Sequence, residues 1–387
     1  MTSLYTQLIP ISTPPFCPNP DCDAHHVPPD RRWWKAHGHY HTKMTGDVRR
    51  FRCVLCGRGF SEQTFHIDYF AKRRIDYAAL IAGLTSCCGI RALGRIYGVD
   101  HKTVMNKIMR FSRQAMAAQA MISDHLRLTE DLVVDGFQSF WVSQYFPNNL
   151  HLLVGSDSQF VYAANGVTIR RSGRMSDGQK RHRAALEGRY RADPQALMRS
   201  FTEILERATA LIASAPETTV PLLRSDHHKV YRRAVADHGA FSRLRELGRT
   251  AHYTVSSTAP RTTSSPLFAV NYLDRELRKD LAEHVRESTR FSRSVHGTME
   301  RLYSYLFMHN LRKSFRINCR SPERHLTHAH RAGVNDTLCR RIVADIYRRR
   351  AFRTRTPLSC PILPLWLRMD VTPLEGTRPY LPGYLLA

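Results

Sequence analysis

Apolar runs and amphipathic stretches alternate along the chain from about residue 130 onward. The run Leu132 to Trp141 is mostly apolar and predicts a buried strand. Two shorter apolar runs, Leu152 to Val154 and Phe160 to Ala164, predict an antiparallel hairpin beside that strand. Farther along, the pattern predicts a helix at about Pro194 to Ala213, a strand at Thr219 to Asp226 and a helix through Val230 to Val235. This mixture of strands and helices predicts a mixed α/β class with several domains.

A second pattern, between residues 76 and 111, is typical of a helix-turn-helix. It predicts a first helix ending near Thr85, a small residue (Ala92) where helices approach, a turn at Gly98 and a core contact at Val99. A recognition helix would start at Thr103. Donors to phosphates and base edges on that helix would be Lys102, Thr103, Asn106, Lys107 and Arg110. The alternative is a small three-helix packing unit without a DNA contact.

Four cysteines occur in two close pairs near the amino terminus, Cys17 with Cys22 and Cys53 with Cys56. Four thiolates in two pairs predict a tetrahedral structural Zn²⁺ site, a zinc ribbon. Alternatives are a coincidental pairing, or replacement of one thiolate by a neighbouring histidine. Those histidines are His25, His26, His37, His39 and His41. The other cysteines show no ligand spacing and are interpreted as ordinary thiols: Cys87, Cys88, Cys319, Cys339 and Cys360.

The charge of the chain points to a polyanionic partner. Lys and Arg number 58 against 33 Asp and Glu, a formal net charge of +25. Nucleic acid is the partner that such a charge favours, although a ribosome-associated or merely basic protein would show it too. No apolar run is long enough to span a membrane, and the first residues lack the pattern of a signal peptide. We therefore expect a cytoplasmic protein without a membrane partner.

Changes in composition divide the chain into four predicted segments. They are a zinc ribbon at 1–68, a helix-turn-helix segment at 69–128, a catalytic candidate at 129–318 and a helical, Pro-rich tail at 319–387. The stretch Ile169 to Arg191 is rich in Arg, Lys, Gly and Ser and predicts a basic surface loop. The chain from Pro357 onward predicts an extended arm that packs on the body or on a neighbouring subunit.

Two acids stand at positions that a sheet alone does not explain. Asp135 lies within the predicted buried strand, where an unpaired carboxylate is costly. Asp226 ends another predicted strand, where either a helix cap or a functional acid fits. The sequence thus indicates that these carboxylates are candidates for chemistry.

The order of these features resembles bacterial insertion-sequence transposases of the DDE type. The resemblance rests on the paired cysteines, the helix-turn-helix pattern, Val134-Asp135-Gly136-Phe137, Ser225-Asp226-His227-His228-Lys229-Val230-Tyr231 and Met308-His309-Asn310, in that order. It implies an RNase H-like catalytic core in which Asp135 and Asp226 are two of three metal-binding acids.

The resemblance places the third acid on a helix within Asn271 to Arg278, but many relatives carry a glutamate where this chain has Asn271. Asp274 and Glu276 are the two candidates. On a helical projection Leu273, Leu277, Leu281 and Val285 form the buried stripe, with Asp274 inside its arc and Glu276 at one edge. Glu276 also has the longer side chain and is the residue type that the resemblance implies, so we expect it to be the third acid and keep Asp274 as the alternative.

The chemistry implied by the resemblance is strand cleavage and strand transfer on double-stranded DNA, with Mg²⁺ held by the three acids. The partners would be the terminal inverted repeats of a mobile element, bound by a homo-oligomer at the bacterial nucleoid. The basic loop and Arg286, Arg290 and Arg293 would hold phosphates. Two alternatives remain: a DNA-binding regulator without catalytic activity, and a domesticated transposase that binds without cutting.

Overall fold

The structure is a computed structural model that describes residues 12–256, 258–285, 290–316, 318, 320–359, 361–377 and 379. Arg286, Cys319 and Cys360, which the sequence analysis named, lie outside the described residues. No helix in the described part of the chain combines the length and apolar character that crossing a membrane requires.

The amino-terminal segment forms a small antiparallel sheet in the order β1-β2-β3. A short helix precedes the sheet, and aromatic rings from its strands pack beside the cysteines. Phe51 of the second strand meets Phe60 of the third at a centroid distance of 5.7 Å. The elements are α1 (Asp23–His26), β1 (Trp34–Thr42), β2 (Gly46–Cys53) and β3 (Gly59–Ser61).

Three helices follow, as the helix-turn-helix pattern predicts: α2 (Tyr77–Leu84), α3 (Ile90–Ile96) and α4 (His101–His125). Gly98, between α3 and α4, has φ +60°, a conformation that favours glycine and makes the predicted turn. Gly94 rather than Ala92 is the close contact, because a Cβ at Gly94 would lie 2.9 Å from the Val99 carbonyl oxygen. Asp100 caps α4 by accepting a hydrogen bond from the Lys102 amide at 2.8 Å.

The remainder of the chain is built on a five-stranded sheet in the order β6-β5-β4-β7-β8. Strands β4, β5 and β6 are antiparallel neighbours, whereas β7 runs parallel to β4 and β8 parallel to β7. The strands are β4 (Leu132–Phe140), β5 (Pro147–Gly155), β6 (Val161–Thr168), β7 (Leu222–Asp226) and β8 (Ala251–Val255).

Helices surround this sheet. They are α5 (Asp177–Glu187), α6 (Ala196–Ala213), α7 (Lys229–Asp237), α8 (Gly239–Glu246), α9 (Phe268–Asp280), α10 (Val295–Leu311), α11 (His328–Arg331), α12 (Asp336–Asp345) and α13 (Ile362–Leu367). The long helix α4 packs along α10, with Phe111 against Phe307 at a centroid distance of 5.4 Å. One hydrophobic core is therefore continuous from Ile67 through α4 and the sheet to Trp366.

Two local predictions are wrong. Part of the predicted loop Ile169 to Arg191 is the helix α5, because Ser176 and Gln179 form a capping box at its start; none of its residues is buried. The predicted stripe on α9 holds for Leu273, Leu277 and Leu281 but not for Val285, which is 40% exposed, because the helix ends at Asp280.

The described part of the carboxyl-terminal segment packs on the body, which is one of the two predicted alternatives. Trp366 is 2% exposed, and its carbonyl oxygen accepts hydrogen bonds from the Arg113 guanidinium at 3.0 and 3.1 Å. Phe352 belongs to the aromatic core of the amino-terminal sheet. The Arg350 amide donates to the Phe65 carbonyl oxygen at 2.8 Å. Residues 350–352 and the amino-terminal sheet thus share one small core.

Candidate functional sites

The four paired cysteines come together at the edge of the amino-terminal sheet. The Sγ atoms of Cys17 and Cys56 are 3.6 Å apart, and those of Cys22 and Cys53 are 3.8 Å apart. All four sulfurs lie within 4.8 Å of one another, which no other group of at least three His, Cys, Asp or Glu side chains achieves among the described residues. The predicted clustering of these four thiols is confirmed.

The sulfur geometry fits zinc. Tetrahedral Zn²⁺ with Zn–S bonds of about 2.3 Å needs sulfurs about 3.8 Å apart. Burial raises the pKa of Cys22 to about 11. Burial acts to raise the pKa of Cys56 too, but hydrogen bonds with the Arg58 amide and neighbouring thiols lower it overall, to about 7. A cation among the four sulfurs would stabilise the thiolates against this burial.

The histidines near the cysteines do not join this group. His25 is buried, and its two ring nitrogens lie 2.7 Å from the Cys17 carbonyl oxygen and 2.8 Å from the Thr354 hydroxyl. Nε2 of His26 lies 2.9 Å from the Pro20 carbonyl oxygen. The side chains of His37, His39 and His41 project from β1, and His41 pairs with Asp47. The sulfur cluster is thus complete without an imidazole.

Two of the donors predicted on the recognition helix are wrongly placed for DNA. Lys107 is 1% exposed and forms an ion pair with Asp68, which also accepts a hydrogen bond from the Tyr77 hydroxyl at 2.9 Å. Arg110 is buried and donates to the carbonyl oxygens of Ile67 and Tyr69. Both side chains point into the core because α4 continues into the body as a central helix.

The remaining donors of this helix lie at its exposed start. Lys102 is exposed, and Thr103 and Asn106 are partly exposed. The Asn106 side-chain oxygen accepts a hydrogen bond from Arg110 Nε at 2.9 Å. Arg91 and Arg95, which the sequence analysis did not single out, are exposed on the preceding helix α3. This end of the helix-turn-helix therefore carries the accessible cations.

Asp135 and Asp226 lie on neighbouring parallel strands. The register of β4 against β7 pairs Leu132 with Leu223 and Val133 with Arg224. The same register, continued along both strands, puts Asp135 beside Asp226. Neighbouring strands of a sheet are about 4.8 Å apart. Burial, together with the charge of Asp226, raises the pKa of Asp135 to about 6, although the Gly136 amide, 2.7 Å away, lowers it.

The third acid in this group is Asp274 of α9. Burial and then the charge of Asp135 raise the pKa of Asp274 to about 8. Oδ1 of Asp274 is buried and finds no hydrogen-bond partner among the described residues. A buried carboxylate oxygen without a partner is costly, so this position suits a ligand.

The expectation that Glu276 joins the two aspartates is wrong in this structure. Glu276 is 8% exposed, and its Oε2 accepts from Lys279 at 3.0 Å and from Lys313 at 3.2 Å. Burial acts to raise the pKa of Glu276, but these two ammonium groups lower it overall. Asp274 and Glu276 are two residues apart, hence about 200° apart around the helix, and only Asp274 faces the sheet.

Other polar groups surround the three aspartates. Arg261 acts electrostatically on Asp135 and Asp274, and Arg278 acts on Asp274. The guanidinium of Arg278 lies over the Phe137 ring at 4.5 Å. Burial and the charges of Asp135 and Asp226 raise the pKa of Tyr231, whose ring stacks on Phe201 at 4.2 Å. Sequence periodicity gave no sign of these residues, because they come from separate helices and loops.

The oxygen atoms of the three aspartates are not all within 4.8 Å of one another. This spacing is wider than that of the cysteine sulfurs. The register of β4 against β7 and the electrostatic effect of Asp135 on Asp274 indicate that the three carboxylates are near one another.

No known protein family or curated protein matches this chain. Among solved structures, the chain is similar to endonuclease V from Ciona intestinalis in complex with a 24mer DNA that contains an inosine followed by a ribo-adenosine. The identity is 13%, the TM-score is 0.15, and the match covers 42% of this chain and 64% of that one. A single-residue variant of the same enzyme with a 23mer DNA gives the same identity, TM-score and coverage. At this TM-score the similarity carries no argument about fold or function.

Proposed function

We propose that this chain is a DNA-processing enzyme of the DDE transposase type, with Asp135, Asp226 and Asp274 as its metal-binding acids. The observation that carries the proposal is their convergence from two adjacent parallel strands and one helix. Three carboxylates that converge in this way are typical of a site that holds divalent cations.

The sheet supports an RNase H-like core. Its order β6-β5-β4-β7-β8 joins an antiparallel set of three strands to two parallel strands. The first acid lies in the central strand β4, the second ends the neighbouring strand β7, and the third comes from a later helix. This is the arrangement that the sequence resemblance implies.

The donor set fits Mg²⁺, which prefers carboxylate oxygens. Burial, followed by the charge of a neighbouring aspartate, raises the pKa values of Asp135 and Asp274, and a divalent cation would supply the counter-charge that keeps both carboxylates ionised. Bound ions of this kind activate the attacking oxygen and stabilise the leaving oxygen in phosphoryl transfer. The protein would hold them with Asp135 and Asp226 on the sheet and Asp274 on α9.

The chain's own cations would position the DNA strand at this site. Arg261 and Arg278 lie close enough to the acids to affect their ionisation, so a phosphate bound between them would stand beside the acid cluster. Arg290 and Arg293 are exposed near the end of β4, where Ser292 pairs with Trp141. Phosphate contacts of this kind make binding dependent on salt concentration.

DNA recognition is assigned to the exposed surfaces elsewhere. The start of α4, with Lys102, Thr103 and Asn106, would enter the major groove. The exposed helix α5 and its flanking residues would contact the backbone through their cations. In this proposal the ligands are terminal inverted repeats of a mobile element at the nucleoid, bound by a homo-oligomer.

A pair of substitutions on α4 separates the DNA surface from the core. Lys102→Ala is expected to weaken DNA binding about equally for all sequences and to leave the melting temperature unchanged, because Lys102 is exposed. Lys107→Ala is expected to destabilise the fold by about 3 kcal/mol, because it leaves Asp68 buried without its cation. Fluorescence anisotropy and thermal unfolding measure the two effects. A melting temperature that Lys107→Ala leaves unchanged would contradict the buried ion pair.

The experiment that tests the function is incubation of the purified full chain with end-labelled DNA in Mg²⁺. We expect strand cleavage that is absent when Mg²⁺ is left out and that appears when Mg²⁺ is added. If the protein binds these DNA ends but leaves them intact in Mg²⁺ and in Mn²⁺, the catalytic proposal fails. The chain would then be a regulator or a domesticated transposase.

A further inference from the structure

The outer face of α9 borders a second cleft, on the side opposite Asp274. This cleft has a volume of about 580 Å³ and extends over the segment after α10 and the start of α11. Tyr272, Glu276 and Lys279 line it from α9, since residues at this spacing share one face of a helix. The acid cluster and this cleft therefore lie on opposite sides of the same helix.

Cations outnumber carboxylates around the cleft. The carboxylates of Glu276 and Asp280 both form ion pairs with the ammonium groups of Lys279 and Lys313. The carboxylate of Glu323 forms ion pairs with both Arg316 and Arg331. Arg324 adds a further cation to the lining. The side chains of Lys279 and Arg316 are 59% and 54% exposed, so both can reach a ligand. The excess positive charge favours an anion such as a phosphate.

Two stacked imidazoles form the inner wall of the cleft. The rings of His309 and His328 are parallel at a centroid distance of 4.0 Å, and both line the cavity. His309 Nε2 lies 2.9 Å from the Gln159 carbonyl oxygen, and His328 Nδ1 lies 2.8 Å from the Ser158 carbonyl oxygen. Because a carbonyl oxygen can only accept, each of these nitrogens carries the hydrogen.

His309 is thereby left with a nitrogen that can only accept. Burial and the neighbouring His328 lower the pKa of His309, so the ring is neutral and Nδ1 presents a lone pair. His309 is 1% exposed, and its Nδ1 finds no hydrogen-bond partner among the described residues. A buried acceptor without a partner is costly, and a ligand with an N–H or O–H group would satisfy it.

We propose that this cleft binds one nucleotide, with its phosphate toward Lys279 and Arg316 and an N–H or O–H donor toward Nδ1 of His309. A nucleotide combines an anion, a donor and a ring, and the cleft combines cations, an acceptor and the aromatic side chains of Tyr272 and Phe315. The nucleotide would belong to an unpaired part of the DNA strand. That part of the inference rests on the proposed function, whereas binding of a free mononucleotide does not.

The test is calorimetric titration of the zinc-containing full chain with 5′-dAMP, without added Mg²⁺. We expect binding that weakens about tenfold for the analogue that lacks the 6-amino group, and weakens further for inorganic phosphate. Lys279→Ala combined with Arg316→Ala should weaken dAMP binding at least tenfold. The control, Arg199→Ala combined with Arg340→Ala, removes two exposed, ion-paired arginines elsewhere and should leave it unchanged.

Absence of dAMP binding, or equal binding by both double variants, would overturn the nucleotide site. Equal affinity of the wild-type chain for dAMP and for the analogue that lacks the 6-amino group would overturn the hydrogen bond to His309, without requiring a His309 variant that folds. A second titration distinguishes the source of the nucleotide. A duplex with an unpaired 3′ adenosine nucleotide should compete with dAMP better than the blunt duplex, and equal competition would overturn the assignment to a DNA strand. Because no Mg²⁺ is added, failure here is independent of cleavage.

Discussion

Asp274→Asn is expected to lower Mg²⁺-dependent DNA cleavage by about a thousandfold or more, together with Asp135→Asn and Asp226→Asn. Each change keeps the shape of the side chain and removes the charge that would hold the cation. DNA binding without metal should be retained, because the surfaces assigned to DNA recognition lie elsewhere. Single-turnover cleavage and binding by fluorescence anisotropy measure the two effects separately.

Glu276→Gln is the matched control for Asp274→Asn. Glu276 lies on the opposite face of the same helix and is held by Lys279 and Lys313. We expect it to retain most of the cleavage activity and to lose some stability, because two ammonium groups lose part of their counter-charge. The reverse result, full cleavage by Asp274→Asn and none by Glu276→Gln, would restore Glu276 as the third acid and contradict the assignment to Asp274.

Cys53→Ser combined with Cys56→Ser is expected to remove all of the zinc that the chain binds, about one ion per chain. The loss of zinc should loosen the amino-terminal sheet and also the segment that contains Phe352 and Arg355. Phe352 packs in the same core as the sheet, and Arg355 donates to the His25 carbonyl oxygen. We expect faster proteolysis near residues 348–356 as well as in the sheet. Elemental analysis and limited proteolysis measure these effects.

The matched control is Cys87→Ser combined with Cys88→Ser, because these thiols are half-buried and lie outside the sulfur cluster. It should retain the zinc of the wild-type chain. Unchanged zinc content in the Cys53 and Cys56 variant would rule out the sulfur cluster as the site.

Local patterns predicted the individual elements because their causes are local. Apolar runs predicted β4 and β7, the paired cysteines predicted the sulfur cluster, and Gly98 predicted the turn before α4. The sequence did not show that α4 continues as a central helix of the body. Lys107 and Arg110 appear as surface cations on a short recognition helix, and only the packing of α4 against α10 and the Ile67 to Tyr69 segment makes them buried.

The position of Glu276 relative to the two aspartates was predicted wrongly for a related reason. A buried stripe on α9 suggested that an acid inside its arc has no access to a site, which favoured the edge position of Glu276. The stripe packs on the sheet that carries Asp135 and Asp226, however, so the inner position is the one that meets the other acids. Glu276 faces Lys313, which follows α10 and is distant in the sequence. Neither contact can be derived from the periodicity of one helix.

The most direct test of the acid cluster is anomalous scattering from crystals of the full chain soaked in Mn²⁺, a substitute for Mg²⁺ that prefers the same oxygen ligands. We predict anomalous peaks bounded by the carboxylates of Asp135, Asp226 and Asp274, which disappear in Asp135→Asn crystals. Crystals of the wild-type chain with zinc at the four cysteines, but with no Mn²⁺ beside these three aspartates, would contradict the account.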